Sequence, residues 1–240
     1  MQIKTRGIIL HTLKYSENSV IVTIYTSEFG RTPYMVYGAN KKKSKFRSAF
    51  FQPLSLLELD VYHTPGKDIQ TIKDLRISHT LSDISYHPIK NPLALFISEV
   101  LFRVLKQTEP DENLFNFLES SILALDCCEE GLANFHLVFM MKLCRYLGFE
   151  PNGEDDKKRY FDLLNGIFTA YQPQHAHFLN PEATIDFGRI MQADYINMKS
   201  IPFTRNQRIK LLESLIEYYK LHVADFHGLN SLAVLHALFD

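Results

Sequence analysis

Residues 7–38, "GIILHTLKYSENSVIVTIYTSEFGRTPYMVYG", decide how the N-terminal part of this chain is read. "GIILHTL" (7–13) is a short β-rich run. "SVIVTIYT" (19–26) alternates Val20, Val22 and Ile24 on one side with Ile21, Thr23 and Tyr25 on the other, the period of a strand. "SEFG" (27–30) is a turn and "RTPYMVYG" (31–38) a third strand, with Pro33 near its start, where a missing ladder donor is tolerated. Further along, "LSLLELDVYH" (54–63), the turn "TPGKD" and "IQTIKDLRIS" (69–78) add two more strands. Five short strands, with one long connection between the third and fourth, predict a small closed barrel, and the OB-fold is the arrangement expected.

That long connection contains "GANKKKSKFRSAFFQ" (38–52), where Lys41, Lys42, Lys43, Lys45 and Arg47 fall within seven positions. The whole 240-residue chain has a net charge of only −1. Residues 1–78 hold 12 Lys and Arg against 6 Asp and Glu, a balance of +6; the rest hold 14 against 21, a balance of −7. A basic first third and an acidic remainder predict two functional surfaces, the first attracting a polyanion. Clustered ammonium and guanidinium groups create a potential of the sign that draws phosphates. Tyr37 and Phe46 flank the charges, and aromatic faces stack with bases for ~1–3 kcal/mol each. Of Phe50 and Phe51, which lead into the fourth strand, at least one belongs in the core.

After His87 the pattern becomes helical. "NPLALFISEVLFRVLK" offers Asn91 as N-cap and Pro92 at the first helical position, followed by Leu93, Ile97, Val100 and Val104 at spacings of four, three and four. A second helix is expected from 111 to about 125, with Leu114, Phe117, Leu118 and Ile122 inward. A third covers roughly 133–147 and stops at Gly148, a C′ glycine. Thr204 and Gln207 form a capping box for a long helix with the stripe Ile209, Leu212, Ile216, Tyr219 and Val223, and a short helix follows over about 231–239. Between these, 149–195 carries a hairpin signal at Asn165–Gly166, a type I′ turn pair. The reading is therefore α+β: an OB-fold domain over 1–80, and a helical domain over 81–240 with an insert over about 149–195.

Catalysis finds no foothold in the motifs: there is no P-loop, no dinucleotide fingerprint, no nucleophile elbow and no H-E-x-x-H. Glu154, Asp155 and Asp156 suggest a metal-dependent nuclease, but three cations follow at once, as in a solvated loop. His175 and His177 lie two apart and would share one face of a strand, where they could share a metal, yet no thiol or carboxylate pair stands at ligand spacing around them. Cys127, Cys128 and Cys144 offer no disulfide framework and no C-x-x-C, which fits a reducing compartment. No apolar run approaches the ~20 residues of a membrane span, and charges flank the short apolar patch of "MQIKTRGIILHTLKYS", unlike a secretory signal. A cytoplasmic protein without membrane contact is expected.

Taken in order, these residues resemble the RecO family of bacterial DNA-repair and recombination mediators. The first-domain pattern is a "G-I-hydrophobic-L" strand, then "Y-x-E" (Tyr15 and Glu17), "T-x-E-x-G-R" (26–31), "G-A" with a basic run, and "Q-P-x-x-x-L-E" (52–58). The similarity continues through "ISEVLFRVL" and "ENLFNFLESSILAL" to "RYLGFEP" (145–151) and then fades, covering about two thirds of the chain. The resemblance implies an OB-fold, a helical C-terminal domain, no enzymatic turnover and a nucleoid-associated location. It also implies binding and annealing of single- and double-stranded DNA, and work with RecR, and often RecF, to let RecA replace single-strand-binding protein (SSB). Carried over by position, the DNA-contact segment is Lys41, Lys42, Lys43, Lys45, Phe46 and Arg47 with Tyr37, and Arg31 as an addition. The family also holds the acidic, hydrophobic C-terminal tail of SSB; cations beside apolar residues on the helices, Phe102, Arg103, Lys106, Lys142 and Arg145 near Phe139, are the candidates. Many members carry a four-cysteine zinc module after "L-G-F-x-P"; here that stretch has no cysteine, so no cofactor or metal is expected and Tyr160, Phe161, Phe168 and Tyr171 are expected to hold the module. Two alternatives stay open, an OB-containing RNA-binding protein and the metal-dependent nuclease.

Overall fold

Gly7 shows why the first strand is read as it is. A Cβ there would stand 2.7 Å from Ile24 Cγ2 and 2.8 Å from Leu59 Cδ1, so the barrel wall closes only around a residue with no side chain. In the computed structural model, which describes residues 2–38, 48–106, 109–153 and 159–238, that strand is β1 (Gln2–Lys14). It pairs antiparallel with β2 (Ser19–Thr26) on one side and β4 (Leu56–Tyr62) on the other. β2 pairs with β3 (Gly30–Tyr37), and β4 with β5 (Gln70–His79). A short parallel contact, Tyr34 opposite Gln70 and Met35 opposite Thr71, closes the barrel in the order β1-β2-β3-β5-β4. This closed five-stranded barrel, followed by helices, is the architecture expected from the strand pattern.

Inside the barrel, Ile9, Val22, Ile24, Tyr34, Val36, Leu57, Leu59 and Val61 are buried together, each contributing roughly 1.5–3 kcal/mol by leaving water. Phe51 joins them and Phe50 packs against their edge, so one of the two phenylalanines does turn inward. A register shift between Ile9 and His11 inserts an extra residue in β1 and sets the outward residues of its second half.

Two compact units emerge from the fold: Met1–Cys127 with Leu229–Leu232, and Cys128–Gly228 with Ala233–Asp240. In the first unit, α1 (Lys90–Val104) and α2 (Glu112–Cys127) pack beside the barrel. Leu93, Ile97, Val100 and Val104 are buried as their spacing predicts. The start of α1 differs from the sequence reading. Asn91 lies inside the helix, and the free N–H groups of Ile89 and Lys90 donate to Nδ1 of His87 at 3.1 and 3.3 Å. A ring nitrogen two residues before Ile89 reaches donors that the Asn91 side chain, already within the first turn, does not. Lys90 is 2% exposed; its ammonium donates to the Asp83 carboxylate and, at 2.6 Å, to the Asp126 carbonyl. In α2 the inward aromatic is Phe115, while Phe117 is half-buried. The helix turns Phe115 to stack against Tyr25 of the barrel, with ring centroids 6.3 Å apart. Glu99 of α1 accepts from the backbone N–H groups of Asn230 and Ser231 and from the Ser231 hydroxyl at 2.6–2.9 Å, which ties residues 229–232 to this unit.

The second unit contains α3 (Leu132–Tyr146), a small sheet of β6 (Tyr160–Asp162), β7 (Ile167–Thr169) and β8 (Phe178–Leu179) in the order β7-β6-β8, then α4 (Pro181–Met191) and α5 (Arg205–His222). Gly148 follows α3 at φ +82°, the left-handed C′ position expected. The Thr204–Gln207 capping box forms on α5, whose Leu212, Ile216 and Tyr219 are buried, while Ile209 and Val223 at the ends of the stripe are half-buried. The hairpin exists, but its turn is not type I′: Asp162 pairs with Ile167 across residues 163–166, and Gly166 alone has positive φ. The Asp162 carboxylate sets this longer loop by accepting from the N–H groups of Leu164 and Asn165 and from Asn165 Nδ2 at 2.8–3.0 Å. Phe161 and Phe168 are buried in a T-shaped contact, and Tyr160 packs edge-on against Phe178. Tyr171, two residues past the end of β7, is 84% exposed and does not hold the sheet. A short α6 (Leu232–Leu238) ends the described chain.

A candidate nucleic-acid interface on the barrel rim

The lysine-rich run, with Lys41, Lys42, Lys43, Lys45, Phe46 and Arg47, lies outside the described residues. Its two anchors are defined. At the outgoing end, Gly38 N–H donates to Asn18 O at 2.6 Å, which fixes the end of β3 beside the β1–β2 turn. At the returning end, residues Ser48–Phe51 form a 3₁₀ turn whose Phe51 carbonyl accepts from the Thr12 hydroxyl at 3.1 Å. Leu54 N–H then donates to Ile9 O, and Ile9 N–H to Ser55 O. The outgoing anchor is thus held to the β1–β2 turn and the returning anchor to Ile9 and Thr12 of β1.

Strand register sorts the outward residues of β1, β2 and β3 into rows. Tyr25 stands opposite Arg31, His11 opposite Thr23 and Pro33, Leu13 opposite Ile21 and Met35, and Ser19 opposite Tyr37. Helix residues reach the first two rows, although His11 itself remains exposed. His11 packs on Phe102 with centroids 4.6 Å apart, Tyr25 on Phe115, and the Arg31 guanidinium lies 4.4 Å from the centre of the Phe102 ring. Arg31 Nη1 also donates to the carbonyls of Phe102 and Leu105, both at 3.0 Å. Burial lowers the Arg31 pKa from its ordinary value, and the guanidinium stays charged. Burial first, then Arg31 and Arg103, hold the His11 imidazole below the usual histidine range, with Glu99 opposing. The rows nearer the run remain open: Tyr37 is 68% exposed, and Tyr15 in the adjoining turn 64%.

Cations of the opposite wall, β1–β4–β5, are paired within the wall or, for Arg6, with α2. Arg76 binds the Glu58 carboxylate, Lys73 reaches Gln2 Oε1 at 2.8 Å, and Arg6 binds Glu119 at 2.8 Å. The cleft of about 830 Å³ on that side is lined by three cations, Lys4, Arg6 and Arg76, against five carboxylates, Glu28, Glu58, Asp60, Asp74 and Glu112. Such a surface does not attract a phosphate backbone. The size of the cleft therefore does not make it the candidate site; the charge and the open rows favour the other rim.

The residues considered for the SSB tail divide between the two units. Phe102 is engaged by His11 and Arg31, and Arg103 stands 3.8 Å from Glu99, all in the first unit. Lys142 and Arg145 lie on α3 in the second unit, Arg145 with its Nε 3.9 Å from Glu150. Phe139, read as their apolar neighbour, is buried because it faces the interior of that unit. His175 and His177 turn to different carboxylates: His175 Nε2 is 3.2 Å from Asp162 and His177 Nδ1 2.8 Å from Glu217. With no cysteine over 149–195, this donor set does not fit a zinc ion, and among the described residues no group of three His, Cys, Asp or Glu is placed to hold a metal. Glu154, Asp155 and Asp156 lie outside the described residues. Among the described residues no helix is long and apolar enough to cross a membrane.

Sequence reading did not single out Tyr15 as a site residue; it is 64% exposed in the β1–β2 turn with its N–H donating to Ser19 O. Comparison with known proteins agrees with the barrel-and-helix layout. The family model described as Recombination protein O N terminal matches residues 1–81, and that described as Recombination protein O C terminal matches residues 87–232. The match thus runs well past Pro151, where similarity of short motifs fades. A protein named DNA repair protein RecO from Azobacteroides pseudotrichonymphae is 39% identical over all of both chains. Proteins of the same name from Bacteroides fragilis and Porphyromonas gingivalis are 40% identical over 99% of both chains and 30% identical over all of both.

Proposed function

The chain belongs to the Recombination protein O family, and on that premise we propose that it is a DNA-repair protein acting as a recombination mediator. It binds single- and double-stranded DNA through the basic rim of its barrel and anneals complementary strands. With RecR, and with RecF where that partner is present, it assists RecA in replacing SSB on gapped DNA, holding the SSB C-terminal tail through residues outside the barrel. The observation that carries this reading is identity of 30–40% along the whole length of proteins named for DNA repair. The physics of the rim supports it. Five cations fall within seven positions of the segment that joins Gly38 to Ser48.

Affinity in this reading comes mostly from phosphates, which carry no base information, so sequence preference is weak. Arg31, whose donors serve two carbonyls of α1, leaves the phosphate contacts to Lys41, Lys42, Lys43, Lys45 and Arg47. Replacing those five by Ala weakens binding alike on unrelated sequences and flattens log K against log salt by up to about 3.5 on a single strand. Unchanged affinity in that variant refutes the assignment. A strand-annealing assay on SSB-coated complementary oligonucleotides then tests DNA handling and partner engagement together, and competition by RNA of equal length separates the RNA-binding alternative.

A further inference from the structure

β5 has a neighbour on both sides only at its start. Among the described residues it meets β3 at Gln70 and Thr71 alone, and from Ile72 to His79 it pairs with β4 on one side. The other edge of that stretch is a row of main-chain groups without a ladder partner, roughly 25 Å long at about 3.3 Å per residue. The direction of these groups is fixed. Leu75 N–H donates to Oδ1 of its neighbour Asp74 at 2.9 Å, so it points away from β4, and Ile77, two residues on, shares that direction. Ile77 is 41% exposed, and Lys73, Asp74 and Arg76 around it are exposed too. The β4–β5 register shifts at Lys73 and again at Ser78, which leaves Asp74–Ile77 as a regular stretch between two bulges.

We propose that this edge pairs antiparallel with the same edge of a second copy of the chain, across a two-fold axis at Leu75. Charge selects both the occupant and the register. Charges on a free edge turn most strands away. The sequence Asp74-Leu75-Arg76 is different, because against its own reverse it sets each Asp74 opposite an Arg76. With Leu75 opposite Leu75 of the second copy, the two residues exchange both N–H···O bonds. Each Leu75 N–H then leaves its own Asp74 carboxylate for the facing carbonyl. The next register that matches outward groups, Leu75 opposite Ile77, sets Arg76 against Arg76 and is repelled. The wall of one copy also lacks what the second supplies. Register puts Asp74 opposite Asp60, a like charge, while Arg76 stands opposite Glu58. Across the pair each row reads Asp60, Asp74, Arg76, Glu58, so a guanidinium arrives beside the doubled carboxylates. The sheet becomes β4-β5-β5-β4, and the open edge of each copy is closed by the other.

The test is sedimentation velocity of the full chain between about 1 and 200 µM, the range in which so small an interface acts. The wild-type weight-average mass is expected to rise toward that of two chains. Asp74→Arg sets cation against cation and Arg76→Asp sets carboxylate against carboxylate, and each is expected to weaken association at least about tenfold. An equimolar mixture of the two variants restores opposite charges at both positions and should associate as wild type does. The double variant Asp74→Arg/Arg76→Asp should do the same. Thermal melting shows that the variants fold. Amide exchange on the wild-type chain needs no variant: protection at Leu75 and Ile77 is expected to rise with concentration. A wild-type chain that stays monomeric overturns the proposal, and so does association that survives in either single variant. Folded variants whose mixture fails to associate overturn it as well. Doubling of mass without added protection at Leu75 and Ile77 puts the contact elsewhere and sinks the assignment to β5.

Discussion

Arg31 of β3 lies over the ring of Phe102 in α1, its guanidinium carbon 4.4 Å from the ring centre, and donates to the Phe102 carbonyl at 3.0 Å. One side chain thus satisfies two carbonyls at the end of a helix and pins that helix to the barrel. A cation over a partly desolvated ring contributes about 0.5–2 kcal/mol and hydrogen bonds from a charged donor about 1.5–3 kcal/mol, without strict additivity. Arg31→Ala is therefore expected to lower unfolding free energy by about 2–3 kcal/mol in urea titration. At a denaturant-free temperature where the variant is folded, its DNA affinity should stay within about threefold of wild type. A large affinity loss with unchanged stability would mean that Arg31 meets phosphate instead.

His11 sits on the other contact of Phe102 and faces Arg31, Arg103 and Glu99. Its folded-state pKa lies below its ordinary value of 6.5, through burial first and the two guanidinium groups second. The unfolded chain then binds more protons than the folded one as pH falls through that value, so stability drops with falling pH in this window. The contribution is fully present above the ordinary histidine pKa. Between about pH 7 and 5, wild type should lose more stability than His11→Asn, which keeps a planar group against Phe102 without the titration. Parallel stability profiles for the two proteins would remove His11 from the account.

Phe161 and Tyr171 separate what holds the small sheet from what merely decorates it. Phe161 is buried against Phe168, Phe187 and Tyr218, with centroids 4.9, 4.5 and 6.0 Å away. Phe161→Ala should cost about 3–5 kcal/mol and lower the melting temperature steeply. Tyr171→Ala should change stability by no more than about 0.5 kcal/mol. Comparable losses in both would show that the aromatic cluster is not what keeps this module folded.

The strands were legible because the strand period is strict. Val20, Val22 and Ile24 alternate in the sequence and point inward in the barrel. The α5 cap was legible for a similar reason, since the hydroxyl of Thr204 and the amide of Gln207 meet across a single turn. The errors arose where a partner from elsewhere in the chain intervened. His87 supplied the acceptor expected of Asn91, α2 turned to offer Phe115 rather than Phe117 to Tyr25, and the Asp162 side chain lengthened the turn expected at Asn165–Gly166. The candidate site divides in the same way. The lysine run is a cluster in sequence and could be seen at once, whereas the hold of Arg31 on the Phe102 and Leu105 carbonyls, far along the chain, could not.

Local pattern and charge were enough to specify a basic five-stranded barrel followed by helices, because strand period, capping and ionic clustering depend on neighbours a few residues apart. The folded chain alone decided which wall of the barrel is spent on α1 and α2, which is neutralised by its own ion pairs, and which is left bare. Those outcomes hang on residues tens of positions apart meeting in space, and a linear text carries no distance between them.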